Sequence, residues 1–435
     1  MPIGSVCLIE AGCVGTLLLG DLGLNVPLFF LTFSVAFGGY VLAIGVFDRW
    51  STRTIIGAGC LFRATLLLTE PTLSDDIYRY LWDGTVSLAG INPYLLPPSS
   101  PDLSGLAPEL LSRVNHSHLP TIYPPLAQAF FAVSAWVSPE TWTIRLGLCV
   151  AELVTVAFLI GLARSYDLSP TVAIVYFWNP LVLVEGAGQG HIDVLSVSLL
   201  VVALLYARGH GYGRAAVAVA LSGLTKLLPM VLLPAFWRWA AVAEADGRNV
   251  LVAAFTTRAV LVPVVGLGVF VLGYVPYMDV GWQVLGSLST YASTWSFNGA
   301  AYDILTRGGL DEVLTRMVLA CVFGLAVVVV SIRKIPPIQG AYVVIGTFLV
   351  VTPTLHPWYV VWIVPFLCFY GNVGWIAGSG LVVASYEVLV DYRGADIWEP
   401  TAWVKYGILL AALGIWWGSQ CMSKRKGASL DVPHS

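Results

Sequence analysis

Charge is the scarcest property of this sequence: across 435 residues only 11% are Asp, Glu, Lys or Arg, against 57% hydrophobic. A chain that short of charge cannot clothe a water-soluble domain, so a polytopic membrane protein is expected. A basic excess is missing too, because the net charge is −3, and nucleic acid is not an expected partner. The seven cysteines (7, 13, 60, 149, 321, 368 and 421) sit in apolar runs or at their ends, with no Cys-x-x-Cys pair. Neither a disulfide framework nor a zinc site is supported, and they read as small core residues. The Gly-rich stretch 186–190 has neither a Walker nor a dinucleotide pattern, so no nucleotide donor site is expected. Met1 to Gly4 lack a basic n-region, and the first apolar run is expected to be a retained span. No internal repeat is visible, which weighs against a transporter built of symmetric halves.

What is present is a series of apolar runs near the ~20 residues a crossing needs. They lie near 3–20, 26–47, 54–70, 142–163, 170–186, 192–207, 255–276, 312–332, 339–353, 357–371, 373–390 and 402–420. Arg49, Arg53, Arg164, Arg208, Arg214, Arg333 and Lys334 then fall on one side, which the positive-inside rule makes cytoplasmic. In this arrangement about 13 of the 22 basic residues are inside and about 18 of the 25 acids outside. Residues 126–138 are too short to cross and read as interfacial or re-entrant. The run 214–240 must enter and return, because Arg214 precedes it and Arg238, Arg248 and Arg258 follow. A break near Lys226 and Pro229 suits two half-helices. The expected fold is all-α and polytopic, with about 12 transmembrane helices, a re-entrant pair and both termini cytoplasmic. Residues 1–420 form a single transmembrane domain and 421–435 a short cytoplasmic tail.

Within this apolar chain, Leu73 to Pro125 is polar and Pro-rich, and on the charge argument it lies outside. Ser74 is the expected N-cap of a helix with Asp75 and Asp76 in its first turn and Gly90 as its stop. Asp76, Tyr80 and Asp83 recur at i, i+4 and i+7 and share one face, with Arg79 a turn from both first acids. The same side collects Trp82, Asn92, Tyr94, His116, Tyr123, Gln189, His191, Asp193, His356, Trp358 and Tyr359. Carboxylates with aromatics and a few cations suit a site that deprotonates a sugar hydroxyl, stacks sugar rings and stabilises a phosphate leaving group. The blander alternative is an interfacial helix whose acids cap it and solvate one face. His356 has the alternative of a helix-end residue facing water. Lys226 is an intramembrane cation and a functional candidate, or else it pairs with Glu152 or Glu10 or snorkels. Arg63 reads as structural by the same logic. Asn115-His116-Ser117 matches the glycosylation sequon, a common chance pattern.

Five stretches together resemble the GT-C glycosyltransferases: 74–84 (Ser-Asp-Asp-Ile-Tyr-Arg-Tyr-Leu-Trp-Asp-Gly), 90–94 (Gly-Ile-Asn-Pro-Tyr), 121–128, 224–229 and 356–359. The branch they are most similar to is the prokaryotic mannosyltransferase-like group that uses a polyprenyl phosphate sugar. The resemblance implies an acidic base in an early outer loop for inverting transfer, and Asp75 and Asp76 match that position. The Asp-acid-x-x-Arg pattern slightly favours Asp75, and the choice between them stays open. Arg79, His356 and Lys226 are the expected donor-phosphate contacts. Trp82, Asp83, Asn92, Tyr94, His116, Tyr123, Gln189, His191, Asp193, Trp358 and Tyr359 are expected to meet sugar or acceptor. The loop here follows the third span, whereas the family's usually follows the first.

The expected protein is therefore a membrane glycosyltransferase with its site facing outside the cell membrane. It moves one sugar, with mannose expected, from a polyprenyl phosphate to a lipid or glycan acceptor. No cofactor is expected, and nothing in the sequence requires a divalent metal. A transporter or lipid-linked sugar flippase is the main rival, and its essential charges would be Glu152, Lys226 and Arg63. A non-catalytic partner of a glycan-assembly complex is the third reading.

Overall fold

The computed structural model describes residues 2–245, 249–390, 401 and 406–407. Apart from Tyr406 and Gly407, the expected span 402–420 and the tail 421–435 lie outside the described residues. The described residues form helices joined by turns, and extended pairing is limited to isolated bridges of Phe297 and Asn298 with Thr354.

Helices α1 (Pro2–Leu18) and α2 (Val26–Ile44) open the chain as a hairpin. Glycine lets them approach: a Cβ on Gly12 would meet the Thr32 carbonyl oxygen at 2.6 Å. The hydroxyls of Thr16 and Thr32 hydrogen-bond across the contact at 2.9 Å. Helix α3 (Thr52–Leu66) starts at Ser51, whose hydroxyl accepts from Thr54 N at 3.0 Å, a standard N-cap. After α4 (Asp76–Leu88) and a short α5 (Pro108–Leu111) come α6 (Pro125–Val137) and the long α7 (Thr141–Ser165).

The apolar run 170–186 is not one straight helix. Its limbs, Pro170–Phe177 and Pro180–Gly188, bend by 59°, and they contain α8 (Ile174–Phe177) and α9 (Pro180–Leu183). Pro180 has no N–H to continue a ladder, and the Asn179 side chain caps Leu181 N at 3.0 Å, which starts a new helix in a new direction. The break strands the Phe177 carbonyl, and Arg63 Nη1 donates to it at 2.9 Å. Arg63 also pairs with Glu152 at 2.6 Å, both side chains being buried. Of the alternatives open for Lys226, pairing with Glu152 or Glu10 is corrected, because Lys226 Nζ pairs with Asp193 at 3.2 Å. A π turn at Val184–Gly188 follows α9.

Next come α10 (Asp193–Arg208), α11 (Tyr212–Gly223) and α12 (Leu233–Ala245). The chain breaks after Gly223 and resumes as a 3₁₀ turn at Leu228–Leu232. The remaining helices are α13 (Val250–Ala253), α14 (Thr257–Tyr274), α15 (Gly286–Thr294), α16 (Ala300–Arg307), α17 (Glu312–Ile332), α18 (Pro337–Val351), α19 (Pro357–Val360), α20 (Val364–Tyr370) and α21 (Val373–Leu381).

Among the described residues, five helices are long and apolar enough to cross a membrane, or six if the bent pair counts as one span. The apolar runs near 3–20, 54–70, 126–138, 192–207 and 339–353 fold as helices of 10–17 residues, and the run 357–371 divides into α19 and α20. At 1.5 Å per residue these are shorter than a ~30 Å hydrocarbon layer. α14 and α17 leave Leu267, Val271, Leu272, Val322, Leu325 and Val328 exposed, which suits contact with lipid. A large apolar core joins α1, α2, α3 and α7 to α12, and a satellite of Trp82, Val86, Leu103 and Val114 lies under the 71–125 loop.

Candidate functional site

At one end of the bundle the N-terminus of α4, the 185–193 link, the 224–227 break and the 352–356 loop come together. Helix α4 is fixed there by α6. Tyr80 stacks on Phe131 with ring centres 4.5 Å apart, and Gly84 gives the room, since a Cβ on it would meet the Phe131 carbonyl oxygen at 2.4 Å. Asp83 accepts from Arg79 Nε at 2.9 Å and from Gln128 Nε2 at 3.2 Å. Asp76, Tyr80 and Asp83 thus share one face, as their spacing predicts. Gly90 at φ +74° ends the helix. The cap is displaced by one residue: Asp75 is the N-cap, and Ser74 Oγ accepts from Asp76 N at 3.3 Å.

The first two acids diverge. Asp76 turns inward, accepting from Asn115 Nδ2 at 3.1 Å and, more weakly, from the Tyr123 hydroxyl at 3.5 Å. Asp75 is exposed and lines a separate polar cavity with Asp21, Tyr78 and Arg113. Tyr123 also meets a cation. Lys226 Nζ lies 5.4 Å from the Tyr123 ring centre and 5.7 Å from that of Tyr359, within cation–π range. Its counter-ion is Asp193, 3.2 Å away, which is held by Trp362 Nε1 at 2.8 Å. The break after Gly223 is what aims Lys226 here, and the Leu224 carbonyl takes the Leu126 N–H at 2.8 Å, tying the break to the first turn of α6.

A ladder of rings closes the floor. His191 stacks on Trp358 at 4.0 Å, Trp358 on His356 at 4.3 Å, and His356 on Phe297 at 4.7 Å. Behind it, buried Glu185 accepts from the Tyr386 hydroxyl at 3.0 Å and lies 2.8 Å from His191 Nδ1. Gly190, at φ +80°, makes the turn, and a side chain there would strike Ile77. Burial pushes the His356 imidazole down to about 3, while Asp76 pulls it upward. His356 is therefore a neutral N–H donor near neutral pH, with part of its surface open to the cleft.

Of the residues expected from sequence, Asp76, Tyr123, His191, Asp193, Lys226, His356, Trp358 and Tyr359 are brought together. Others are not. Arg79 is buried against Asp83 and the Leu119 carbonyl, at 3.0 Å, so it braces the loop. Trp82 belongs to the satellite core, and Tyr94 donates to the Tyr123 carbonyl at 2.6 Å. Asn92 contacts Asp279 and the Tyr277 carbonyl. Gln189 accepts from Leu73 N at 2.9 Å and so pins the loop's start. His116 packs on Trp295, ring centres 4.8 Å apart, where burial lowers its pKa. Sequence reasoning missed Glu185, Asn115, Trp362, Tyr386 and Tyr291, whose hydroxyl hydrogen-bonds that of Tyr359 at 2.5 Å. Glu185 immediately precedes the Gly-rich stretch 186–190, and Asn115 stands inside the sequon. Tyr291, Trp362 and Tyr386 look like ordinary aromatics of apolar runs. Among the described residues no three His, Cys, Asp or Glu side chains converge as metal ligands would.

These features define a helical membrane protein with an acid, a cation and neutral donors gathered at one end of its helices. The family model described as alpha-(1->6)-mannopyranosyltransferase, N-terminal domain, matches residues 25–243, about half of the chain, and the chain belongs to that family. It is also 24% identical over 410 residues to alpha-(1->6)-mannopyranosyltransferase B of Corynebacterium glutamicum, covering 81% of this chain and 66% of that protein. The chain thus spans a little under two thirds of the length of the curated relative it matches. Both findings agree with the resemblance carried by the motifs.

Proposed function

We propose that this chain is a membrane mannosyltransferase that moves a single mannose from a polyprenyl phosphate donor to a lipid or glycan acceptor on the outer face, with inversion. The observation that carries this reading is that one carboxylate and one ammonium both meet Tyr123, with His356 close enough to feel both charges. Asp76 takes the proton from the acceptor hydroxyl as its oxygen attacks the anomeric carbon. The bond from that carbon to the phosphate oxygen breaks, and its electron pair leaves with the phosphate. Lys226 and neutral His356 stabilise the leaving phosphate, Asp193 holds Lys226 in place, and Trp358 and Tyr359 give flat faces for the sugar.

The same reading places the site end outside, with about twelve crossings and both termini cytoplasmic. Two courses of the chain support it. Helix α6 begins beside Leu224, and α7 starts with Arg145 donating to the Gly188 carbonyl at 3.4 Å, so α6 leaves and returns on the site side as an interfacial piece. Helix α11 rises to Lys226, and α12 leads away until Arg238 donates to the Ile332 carbonyl at 3.3 Å, next to Arg333 and Lys334, as a re-entrant pair would. Of the charges a transporter would need, Arg63 and Glu152 pair with each other and Arg63 also donates to the Gly59 and Phe177 carbonyls, while Lys226 pairs with Asp193 at the site.

The test is purified protein with radiolabelled polyprenyl phosphate mannose and a membrane lipid extract. Label should pass to a lipid or glycan product. Retention of all label on the donor, with the protein folded, would remove the reading.

A further inference from the structure

We infer that the polar cavity beside the first turn of α4 is the subsite that holds the acceptor's sugar, an inference that rests on the mannosyl-transfer reading above. The cavity measures about 340 Å³, inside the range of about 300–1,000 Å³ for small-molecule sites. Its lining is mostly polar, from Asp21, Thr72, Asp75, Ser112, Arg113 and Asn115, and Pro71, Tyr78 and Val114 complete it. Polar groups outnumber the apolar ones in this lining, so a long prenyl chain would leave its carboxylates, hydroxyls, amide and guanidinium without partners. Two carboxylates against one arginine also disfavour a phosphate. An uncharged polyol fits, because its hydroxyls both donate and accept. Arg113 lies flat on Tyr78, its guanidinium carbon 3.7 Å from the ring centre, so its donors are fixed in orientation.

The cavity is joined to the chemistry by one residue. Asn115 lines it and donates to Asp76 Oδ1 at 3.1 Å, so this amide is the contact between the cavity and the base. The first turn of α4 is then a partition with a carboxylate on each side. Asp75 holds the acceptor and Asp76 deprotonates it, which gives the paired acids two separate tasks.

Ser112→Trp fills the cavity and Arg113→Ala removes its oriented donor, and both positions are exposed and outside the catalytic cleft. With radiolabelled polyprenyl phosphate mannose as donor and octyl α-mannoside or its α-1,6-linked dimannoside as acceptor, the acceptor KM should rise at least tenfold in each variant. Donor KM and the rate at saturating acceptor should change less than twofold. Saturation-transfer NMR with methyl α-mannoside reads occupancy without turnover, and its signal should be present on the wild type and lost on Ser112→Trp. If the wild type transfers mannose and both variants keep the acceptor KM within twofold, or if the NMR signal survives in Ser112→Trp, the subsite is wrong. If the wild type transfers to no acceptor, the mannosyl-transfer reading itself fails.

Discussion

Asp75 and Asp76 are neighbours in sequence, yet one faces the cavity and the other the cleft, so an amide at each position should act differently. Asp76→Asn keeps the shape but cannot accept the acceptor's proton, and turnover at saturating substrates should fall by about 10²–10⁴. Asp75→Asn should raise the acceptor KM and leave turnover within a few-fold. Equal losses of turnover in the two variants would show that this division is mistaken. His356 gives a pH signature. Burial lowers its pKa from 6.5 to about 3, so the unfolded chain binds the proton more tightly than the folded one. Its contribution to stability is complete above about pH 6.5 and is lost as pH falls toward 3. Melting temperatures between pH 7 and 4.5 should therefore fall more steeply for the wild type than for His356→Gln, and parallel curves would contradict the shift. At this scale the sequence identifies which polar residues are unusual but not where each one points. Arg79 and Lys226 are equally conspicuous cations, and only the fold shows that Arg79 is occupied by Asp83 while Lys226 faces the cleft.

Helix α4 is legible from sequence because its signals are local: acids at its start, glycine at its end and a shared face at i, i+4 and i+7. The 59° bend at Asn179-Pro180 is not, because hydropathy reads both limbs as one apolar run and the π turn at Val184–Gly188 leaves no mark in composition. The contact of α4 with α6 is also hidden, since Gly84 looks like any helical glycine until the Phe131 carbonyl is seen against it. A side chain there meets backbone, which cannot rotate away. Gly84→Val should cost about 1–3 kcal/mol by overpacking, lower the melting temperature in detergent by several degrees, and reduce turnover by moving Asp76. A melting temperature within one degree of wild type would show that the two helices separate freely.

Over the whole molecule, the charge pattern and the helix lengths bear on different questions. The distribution of arginines argues for about twelve crossings, whereas length and composition identify five or six helices among the described residues. The difference arises because short helices, bends and breaks keep the chain apolar without making single straight spans. The path 212–245 decides between topologies: a single crossing would place either Arg208 and Arg214 or Arg238 and Arg258 on the outer side, against the positive-inside rule. The break at 224–227 allows both groups to stay inside while Lys226 reaches the site. In a background with all seven native cysteines replaced, His210→Cys and Asn249→Cys should both resist an impermeant thiol reagent added outside intact cells. Ser100→Cys, in the loop that carries the proposed site, should react with it. Labelling of position 210 or 249 from outside would require a crossing between them, put one arginine group on the outer face, and remove the re-entrant path that delivers Lys226 to Asp193.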